Sequence, residues 1–413
     1  MRKTYQMGVI GAGARGELFA RALACGQGNT AFFGLCDLDA DRMEKFCRFC
    51  GVEPDRRFTD PAKFLASKEL DAVFITVPDF AHCETALAAL AAGKHVYLEK
   101  PLAPTLSQCQ QLLAAARKSD RTFYIGFNMR ASPVYQKLKQ IADSGVLGRL
   151  IHVSAYEQMS VAHGASFMRR WHRREARSGG FLNHKCSHDL DILQWIIGHQ
   201  HRIARVASFG GTNIFRPENG PAGHGTHCSN CPPAIYRDCP YPFVGGFMFP
   251  TSEKEAIVKT QQTDIYGNDL CVYTDDKDVV DNQTLIFEWD HGVRGDFTLQ
   301  PFQRDGVRST RIWGEFGLAE HIEDLRDGRG SVIRHIDSRR GSSAEYRFSS
   351  RHGGHGGTDS EMLQRFLAAI ESGSAGDSGV AEGLAASLLA LKADESRHAG
   401  KVVEISPAEY GGA

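Results

Sequence analysis

The segment Tyr5-Gln6-Met7-Gly8-Val9-Ile10-Gly11-Ala12-Gly13-Ala14-Arg15-Gly16 decides the fold of this chain. Its first half is a short apolar run typical of a buried strand, and a helical pattern begins at Arg15. Between them, Gly11, Gly13 and Gly16 have the spacing G-x-G-x-x-G. One glycine permits a tight turn, another lets the backbone approach a pyrophosphate, and the third lets the helix pack on the strand. The segment predicts a dinucleotide-binding unit whose helix N-terminus faces the phosphates.

The residues that follow continue the alternation of strand and helix. Strands are predicted at 31–36, 71–77, 95–98 and 122–127, and helices at 39–50, 81–92 and 106–119. Short apolar runs separated by helices are typical of parallel strands joined by crossovers. Residues 1–130 are therefore predicted to form an α/β, doubly wound Rossmann domain with a parallel sheet.

The pattern changes after Pro133. Two helices, at 134–144 and 186–197, are followed by strands that alternate apolar and polar residues, as antiparallel strands with one wet face do. The strands are predicted at 150–156, 203–209, 256–263, 283–289, 292–299 and 307–314. We expect residues 131–375 to form an α/β domain with a mainly antiparallel sheet. Within it, residues 217–250 are a Cys-rich insertion without helix or strand, and residues 376–413 supply a C-terminal helix and strand that pack back on the body.

Composition narrows the class of protein. The 413 residues carry 48 Lys plus Arg against 49 Asp plus Glu, a net charge of −1, so no global field attracts nucleic acid or an anionic membrane. No apolar run approaches the roughly 18 residues that span a bilayer. The 11 cysteines are odd in number and mostly scattered, which favours a reducing compartment over a disulfide scaffold. We expect a cytoplasmic protein with a small-molecule substrate.

Asp37 indicates which dinucleotide binds. It ends the second strand, 21 residues after Gly16, where its carboxylate would accept hydrogen bonds from ribose hydroxyls. The same negative charge would repel a 2′-phosphate, and no arginine adjoins it in sequence. The sequence therefore predicts NAD in preference to NADP.

Two further motifs carry chemistry. Glu99-Lys100-Pro101 follows the strand at 95–98, so Lys100 is predicted to point into a site at the carboxyl edge of the sheet, the alternative being a surface ion pair with Glu99. His184, His188 and Asp191 stand at helical spacings of four and three. By themselves these three are also compatible with an N-cap plus solvated polar residues, or with a two-histidine metal site.

Together these motifs resemble the Gfo/Idh/MocA family, named for glucose-fructose oxidoreductase and inositol dehydrogenase. The resemblance covers nearly the whole chain. It rests on Gly11 to Gly16, Thr76-Val77-Pro78 with His82, residues 92–102, Phe127-Asn128-Met129-Arg130, the helix with His188 and Asp191, and Glu382-Gly383-Leu384.

The resemblance implies an NAD(P)-dependent oxidoreductase for hydroxyl or keto groups of sugars, inositols and other polyols, commonly a dimer or tetramer. It also implies that residues 131–375 are the substrate-binding and oligomerisation domain, with a large, open sheet. The implied cofactor-binding residues are Gly11, Ala12, Gly13, Ala14, Arg15, Gly16, Asp37, Thr76, Pro78, His82, Glu99, Lys100 and Asn128. His188 is the predicted base and Lys100 the group that binds the reacting oxygen, with His184 or Lys185 completing a proton relay.

One departure from the family pattern keeps alternatives open. Family dehydrogenases usually have D-x-G-x-H on this helix, whereas this chain has His184-Lys185-Cys186-Ser187-His188. The additional acid/base groups also suit a glycosidase that recycles NAD: transient C3 oxidation, elimination of the aglycone, hydration and re-reduction. A third alternative is a non-catalytic nucleotide-sensing regulator, against which the presence of Lys100 and His188 argues.

The insertion predicts a structural zinc site. Cys228 and Cys231 form a C-x-x-C pair, Cys239 follows, and Cys271 or His227 is the predicted fourth ligand. Zinc prefers tetrahedral sets of thiolate and imidazole, and a segment short of apolar residues would gain order from the metal. Reduced thiols or one disulfide are the alternatives.

Two polar segments are also candidates for contact with the substrate. Residues 169–174, Arg-Arg-Trp-His-Arg-Arg, form a basic cluster that is either an anion grip or a solvated loop. The glycine- and histidine-rich residues 352–357 either line a substrate cleft or form a flexible turn.

Overall fold

The structure, a computed structural model, describes residues 3–50, 52–243, 269–304, 306–324, 330–349, 358–376 and 378–412. The predicted strand at 256–263, the glycine-rich segment 352–357 and the end of the insertion lie outside these residues. The chain divides into two compact units. The first comprises Met1–Tyr135, Arg351–Leu388 and Pro407–Ala413, and the second Gln136–Ser350 and Leu389–Ser406.

The first unit contains the predicted parallel sheet. Its described strands are Tyr5–Ile10 (β1), Thr30–Cys36 (β2), Arg57–Phe58 (β3), Ala72–Ile75 (β4), His95–Leu98 (β5) and Phe123–Ile125 (β6). They run parallel in the order β3-β2-β1-β4-β5-β6, the order of a doubly wound nucleotide-binding sheet. Since all six are parallel, the loops that follow β1, β2, β4, β5 and β6 meet at one edge.

Aromatic side chains from distant parts of the chain form the core of the first unit. The Phe19 ring stacks on Phe74 at a centroid distance of 4.5 Å, and Phe366 meets Phe74 edge-on at 5.3 Å. These aromatic pairs, which add to the stabilisation that burial gives, fix the first helix and a late helix to the sheet.

The second unit contains the predicted open sheet. Its described strands are Leu150–Ser160 (β7), Ile203–Gly211 (β8), Asn282–Trp289 (β9), Arg294–Gln303 (β10), Val307–Gly314 (β11), Gly317–Asp324 (β12), Gly330–Asp337 (β13), Ser342–Phe348 (β14) and Val403–Glu404 (β15). The order is β14-β13-β12-β11-β7-β10-β9-β8-β15. Neighbours are antiparallel except β7 and β10, which run parallel. The predicted fold class, α/β with a mainly antiparallel second sheet, is therefore confirmed.

Helices complete both units. The described α-helices are Ala14–Ala24 (α1), Ala40–Cys50 (α2), Pro61–Leu65 (α3), His82–Ala91 (α4), Leu106–Lys118 (α5), Pro133–Asp143 (α6), Val161–Arg169 (α7), Glu175–Ser178 (α8), Gly180–Ile197 (α9), Pro233–Asp238 (α10), Asp359–Ser372 (α11) and Val380–Ala399 (α12). Short 3-10 helices are Pro54–Arg56, Asp79–Ala81, Asn128–Ala131, Trp171–Arg173, Pro217–Asn219, Cys228–Asn230 and Pro407–Tyr410. In the described part of the chain, no helix has the length and apolar character needed to cross a membrane.

Some sequence predictions about elements were wrong. α9 begins at Gly180, six residues before the predicted start at Cys186, and the insertion contains the helix α10. Four strands, β3 and β12 to β14, were not predicted. In β14 the exposed side chains outnumber the half-buried ones and none is buried, so its apolar alternation is weak.

Candidate active site

The turn after β1 forms a cradle for a pyrophosphate. Gly11 has φ +104°, a conformation that favours glycine, and a Cβ added to it would lie 2.8 Å from the backbone of Thr76. A Cβ on Gly16 would meet the carbonyl oxygen of Gly11 at 1.9 Å, whereas a Cβ on Gly13 would have nothing within 4 Å. Gly13 is also the N-cap of α1 and supplies no side-chain cap. The helix N-terminus is thus open toward the cradle, which fits a phosphate group.

Asp37 lies beside this cradle at the end of β2. Its Oδ2 accepts a hydrogen bond from the Ala12 N–H at 2.6 Å, and its Oδ1 accepts one from the Asp39 N–H at 2.8 Å. Each carboxylate oxygen has two lone pairs, so further acceptor capacity is left for hydroxyl groups. Backbone donors on both sides hold the carboxylate, and one of them comes from the glycine loop. This is the position that an acceptor for ribose hydroxyls requires.

Thr76 connects the loop after β4 to the glycine turn. Its hydroxyl lies 2.9 Å from the carbonyl oxygen of Gly11 and 3.1 Å from that of Ile10. Pro78 follows as the N-cap of the 3-10 helix Asp79–Ala81. These contacts support the shape of the cradle; direct contact of Thr76 or Pro78 with a nucleotide stays a prediction.

Glu99 forms an ion pair that the sequence did not predict. Arg15, the first-turn residue of α1, donates to Glu99 Oε1 through Nη2 at 2.6 Å and through Nε at 2.8 Å. Glu99 is buried, and its partner is Arg15 rather than the neighbouring Lys100 of the sequence alternative. The pair fixes the glycine loop to the end of β5, where Lys100 is half-buried.

A buried acid close to Lys100 was missed by the sequence analysis. Asp79 is only 3% exposed, and burial raises its pKa to about 7 although His82 and Lys100 oppose the shift. His82 itself joins two loops, since its ring nitrogens lie 2.8 Å from the Pro101 carbonyl oxygen and 3.1 Å from that of Val77. Asn128, the last predicted cofactor residue, is buried at the start of its 3-10 helix after β6.

We expect Asp79→Asn to flatten the pH dependence of stability. An unfolded Asp has a pKa of about 3.9, so between roughly pH 4 and 7 the folded protein retains a proton that the unfolded chain has lost. The free energy of unfolding of the wild type should therefore fall as the pH rises through this window, by up to about 1.4 kcal/mol per pH unit, and level off above it. Urea unfolding across this range measures the effect. Asp55→Asn, at an exposed position, is the control; equal pH dependence in wild type and Asp79→Asn would contradict the assignment.

In the second unit, the helix α9 holds the predicted acid/base residues. His188 is buried. His184 is packed among aromatic rings, with centroids 4.7 Å from His172 and 5.2 Å from Trp171. The His172 ring is fixed in turn, because its Nδ1 lies 2.8 Å from the Phe167 carbonyl oxygen. The two histidines of α9 are thus held on a packed helix rather than on a solvated face.

Lys185 belongs to a buried network of charges. Its Nζ lies 3.3 Å from Glu157 Oε1, and Arg308 joins Glu157 to Asp189, with its Nε 3.1 Å from Asp189 Oδ1. Burial raises the pKa of Asp189, and the Arg308 charge opposes that rise. His163 packs near the same cations: burial lowers its pKa well below the usual value, and Lys185 and Arg308 lower it further. Ion pairing therefore fixes the position of Lys185.

The basic cluster at 169–174 is not a solvated loop. Arg169, His172 and Arg173 are buried in the second unit, and Arg173 pairs with Asp276 at 2.5 Å. Arg174 contacts the same carboxylate. Asp276 lies more than a hundred residues further along the chain, so no local pattern indicates that it pairs with Arg173 and Arg174.

The predicted zinc ligands also lie in the second unit. Cys228, Cys231, Cys239 and Cys271 line one small cavity, and His227 lines it with them. All four cysteines are free thiols.

The fold and the glycine cradle define the class of this chain, an NAD-binding oxidoreductase. It belongs to the Gfo/Idh/MocA oxidoreductase family: residues 5–127 match that family's NAD-binding Rossmann fold and residues 139–405 match its C-terminal α/β domain.

Individual relatives are more distant. The chain is 25% identical to YteT of Bacillus subtilis over 355 residues, which cover 80% of each protein. It is 28% identical to inositol 2-dehydrogenase of Salmonella typhimurium over 206 residues, 49% of this chain and 57% of that enzyme. Among solved structures, levoglucosan dehydrogenase in complex with NADH and L-sorbose has a TM-score of 0.74 at 17% identity, covering 98% of this chain and 100% of that one. Myo-inositol 2-dehydrogenase of Lactobacillus plantarum has a TM-score of 0.70 at 19% identity, again covering 98% of this chain and 100% of that one.

Proposed function

We propose that this protein is an NAD-dependent dehydrogenase that transfers hydride between nicotinamide and a CH–OH or keto carbon of a sugar, inositol or other polyol. The observation that carries the proposal is the cradle of Gly11, Gly13 and Gly16 beside the Asp37 carboxylate, at the sheet edge where Lys100 follows β5. The relatives named inositol 2-dehydrogenase, and the levoglucosan dehydrogenase bound to NADH and L-sorbose, support the substrate class.

The residues of this chain have distinct roles in the proposal. When bound, the nicotinamide supplies an acceptor for hydride. Lys100 holds the reacting oxygen, and its charge stabilises the alkoxide that develops there. His188 removes the hydroxyl proton, a task suited to an imidazole, and His184 or Lys185 passes that proton on. Lys100 is positioned before substrate arrives, because the His82 ring contacts the carbonyl oxygen of the adjacent Pro101. His188 is positioned by the buried helix on which it lies.

Asp37 should decide the choice of cofactor. Asp37→Ala removes the acceptor for the ribose hydroxyls, so we expect NAD affinity to fall by about 1–3 kcal/mol, the cost of losing hydrogen bonds to a charged group. The variant should also lose its discrimination against NADP, since the repelling carboxylate is gone. Calorimetric titration with both dinucleotides measures this. Tighter binding of NADP than NAD by the wild type would show the assignment of Asp37 to be wrong.

We further propose a homo-oligomer that associates through the open sheet of the second unit. Phe209 and Ile286 are 80% and 60% exposed. Because Ala207 pairs with Ile286 and Phe209 with Thr284, both side chains share one face. Exposed apolar patches of this kind mark association surfaces.

Ile286→Glu should shift the protein toward monomer in light scattering after gel filtration, because a charge placed in an apolar interface loses its hydration. Val146→Glu, at an exposed apolar position in a turn outside the sheet, is the control and should leave the mass unchanged. A wild type that is already monomeric at working concentration would contradict this proposal.

A panel of substrates tests the activity itself. The protein is incubated with NAD and with myo-inositol, scyllo-inositol, levoglucosan, free sugars and aryl glycosides, while NADH and released aglycone are both measured. Accumulation of NADH with a polyol or sugar is the expected result. Free aglycone without net NADH would select the NAD-recycling glycosidase instead, and binding of NAD without any turnover would contradict both activities.

A further inference from the structure

Backbone hydrogen bonds between separate segments bring Cys271 to the insertion, which contains Cys228, Cys231 and Cys239. The Cys228 N–H donates to the Asp269 carbonyl at 2.7 Å, and the Cys271 N–H donates to the Thr226 carbonyl at 2.8 Å, on either side of a bridge between His227 and Leu270. Cys228 and Cys231 flank a single 3-10 turn. The thiols line a cavity with about 10 Å³ of free volume, which is roughly one water-sized sphere.

Packing explains the order of only part of this region, where the Tyr241 ring contacts the rings of Phe215 and Tyr273. The 3-10 helices Pro217–Asn219 and Cys228–Asn230 and the helix α10 contain no buried residue. A segment without an apolar core needs another source of order, and small protein modules commonly obtain it from a metal or a disulfide. The four thiols are free, so in this structure no disulfide among them supplies that order.

A histidine side chain faces one of the sulfur atoms. His224 Nδ1 lies 3.5 Å from Cys271 Sγ and 2.9 Å from its neighbour's carbonyl oxygen at Gly225. Since Nδ1 faces a carbonyl, it carries the proton, and His224 supports the site without being a ligand through that atom.

Arg169 supplies a buried positive charge beside the thiols. It is 4% exposed and lines the same cavity as the four thiols. Its hydrogen-bond acceptors are the carbonyl oxygens of Leu270 at 3.0 Å and Tyr241 at 2.5 Å, which are neutral. A buried cation is costly unless an anion accompanies it. Four neutral thiols provide no such anion, whereas a divalent metal bound by four thiolates carries a net charge of −2.

From these observations we infer that Cys228, Cys231, Cys239 and Cys271 bind one structural zinc ion as thiolates, with Arg169 as the buried counter-charge. Zinc favours this ligand set, and binding releases the thiol protons to solvent. In the structure no three of these four thiols lie within 4.8 Å of one another. Bonds of about 2.3 Å to zinc bring sulfurs to about 3.8 Å apart, so the side chains must rotate inward around the ion.

A second cluster in the described residues supplies a control. His201, Asp290 and His291 have ligand atoms within 4.8 Å of one another, but they lie toward the surface, where His201 and His291 stack at 3.6 Å. The three side chains of that cluster are half-buried or exposed, whereas Arg169 beside the thiols is buried. A zinc ion found in the protein could be bound by the thiols or by this cluster, so variants of each site are needed to distinguish the two.

Metal analysis of the full chain, purified without added zinc, tests the inference independently of turnover. We expect one zinc per chain, retained in Cys25→Ser and His291→Ala and lost in both Cys231→Ser and Cys239→Ser. To guard against misfolding of those last variants, cobalt is also exchanged into the wild type, where it should give the intense visible and thiolate charge-transfer bands of a tetrahedral thiolate site. Well under one zinc per chain with alkylatable thiols, a Cys228–Cys231 disulfide, or loss of zinc in His291→Ala would each overturn the site.

The role of Arg169 has its own measurement. In competition with a chelator, Arg169→Gln should bind zinc at least about tenfold more weakly, equivalent to about 1.4 kcal/mol, and Arg169→Lys should recover part of that loss because it restores the charge. Equal zinc affinity in all three proteins would contradict the role of Arg169 as the counter-charge. The thiolate site itself is tested separately by the metal analysis.

Discussion

Gly13→Ala is expected to abolish most NAD binding and to leave the unliganded protein as stable as the wild type. A Cβ at this position meets nothing within 4 Å, and the backbone, with φ −83° and ψ −175°, is one that alanine readily adopts. The same Cβ would occupy the space through which the pyrophosphate approaches the backbone. We expect the Kd for NAD to rise by about 100-fold, or about 2.7 kcal/mol.

Gly16→Ala is the matched comparison. Its Cβ would lie 1.9 Å from the Gly11 carbonyl oxygen, so the turn must shift even without a ligand. We expect this variant to lose stability by about 1–3 kcal/mol, as overpacked sites do, in addition to losing affinity. Calorimetric titration with NAD and thermal unfolding without it separate the two effects. Wild-type NAD affinity in Gly13→Ala, or wild-type stability in Gly16→Ala, would contradict the interpretation of the cradle.

Lys100→Ala and His188→Ala should each abolish most turnover while NAD affinity remains nearly intact. A positioned base typically contributes about 10²–10⁴-fold to the rate, and a cation at a developing alkoxide has an effect of similar size. Single-turnover rates of NADH formation, measured together with NAD titrations, test both variants. Lys137→Ala, at a residue whose ammonium lies over the Tyr346 ring, and His201→Ala, in the surface cluster, are the controls. Normal turnover in either test variant would remove the proposed role of that residue.

The parts of the site that are local in sequence could be predicted from it. The three glycines and Asp37 are separated by short, fixed spacings, and each spacing follows from one physical requirement of the turn or the strand end. The structure gives all four the surroundings that such a cradle needs. The same holds for the alternating elements of the first unit, because apolar runs and helical periodicity are also local signals.

Contacts between distant residues could not be predicted in this way. Arg15 and Glu99 are 84 residues apart, and no local pattern in either segment indicates that they pair. Asp79 looks like an ordinary turn residue in the sequence, and only the packing around it shows that it is buried. Phe366, which completes the aromatic core of the first unit, comes from α11, which follows β14 in the sequence.

Polar residues in buried positions misled the sequence analysis in the second unit. The early part of α9 contains Asn183, His184 and Lys185, which interrupt the apolar periodicity that marks a buried helix. Asn183 Nδ2 donates to the Ser178 carbonyl oxygen, and Lys185 pairs with Glu157. Aromatic rings from other elements pack against His184. The cysteines could be singled out as candidate ligands by their spacing, whereas the position of the Arg169 cation beside them became visible only in three dimensions.

Transfer of deuterium from the carbinol carbon to the cofactor tests the central claim most directly. Perdeuterated myo-inositol and the deuterated form of any other panel compound that is turned over are incubated with the protein and NAD, and the reduced cofactor is analysed by mass spectrometry. We predict one deuterium in each molecule of reduced cofactor formed, with one keto product for each. Product formed while the cofactor stays free of deuterium would contradict hydride transfer, and with it the proposed function.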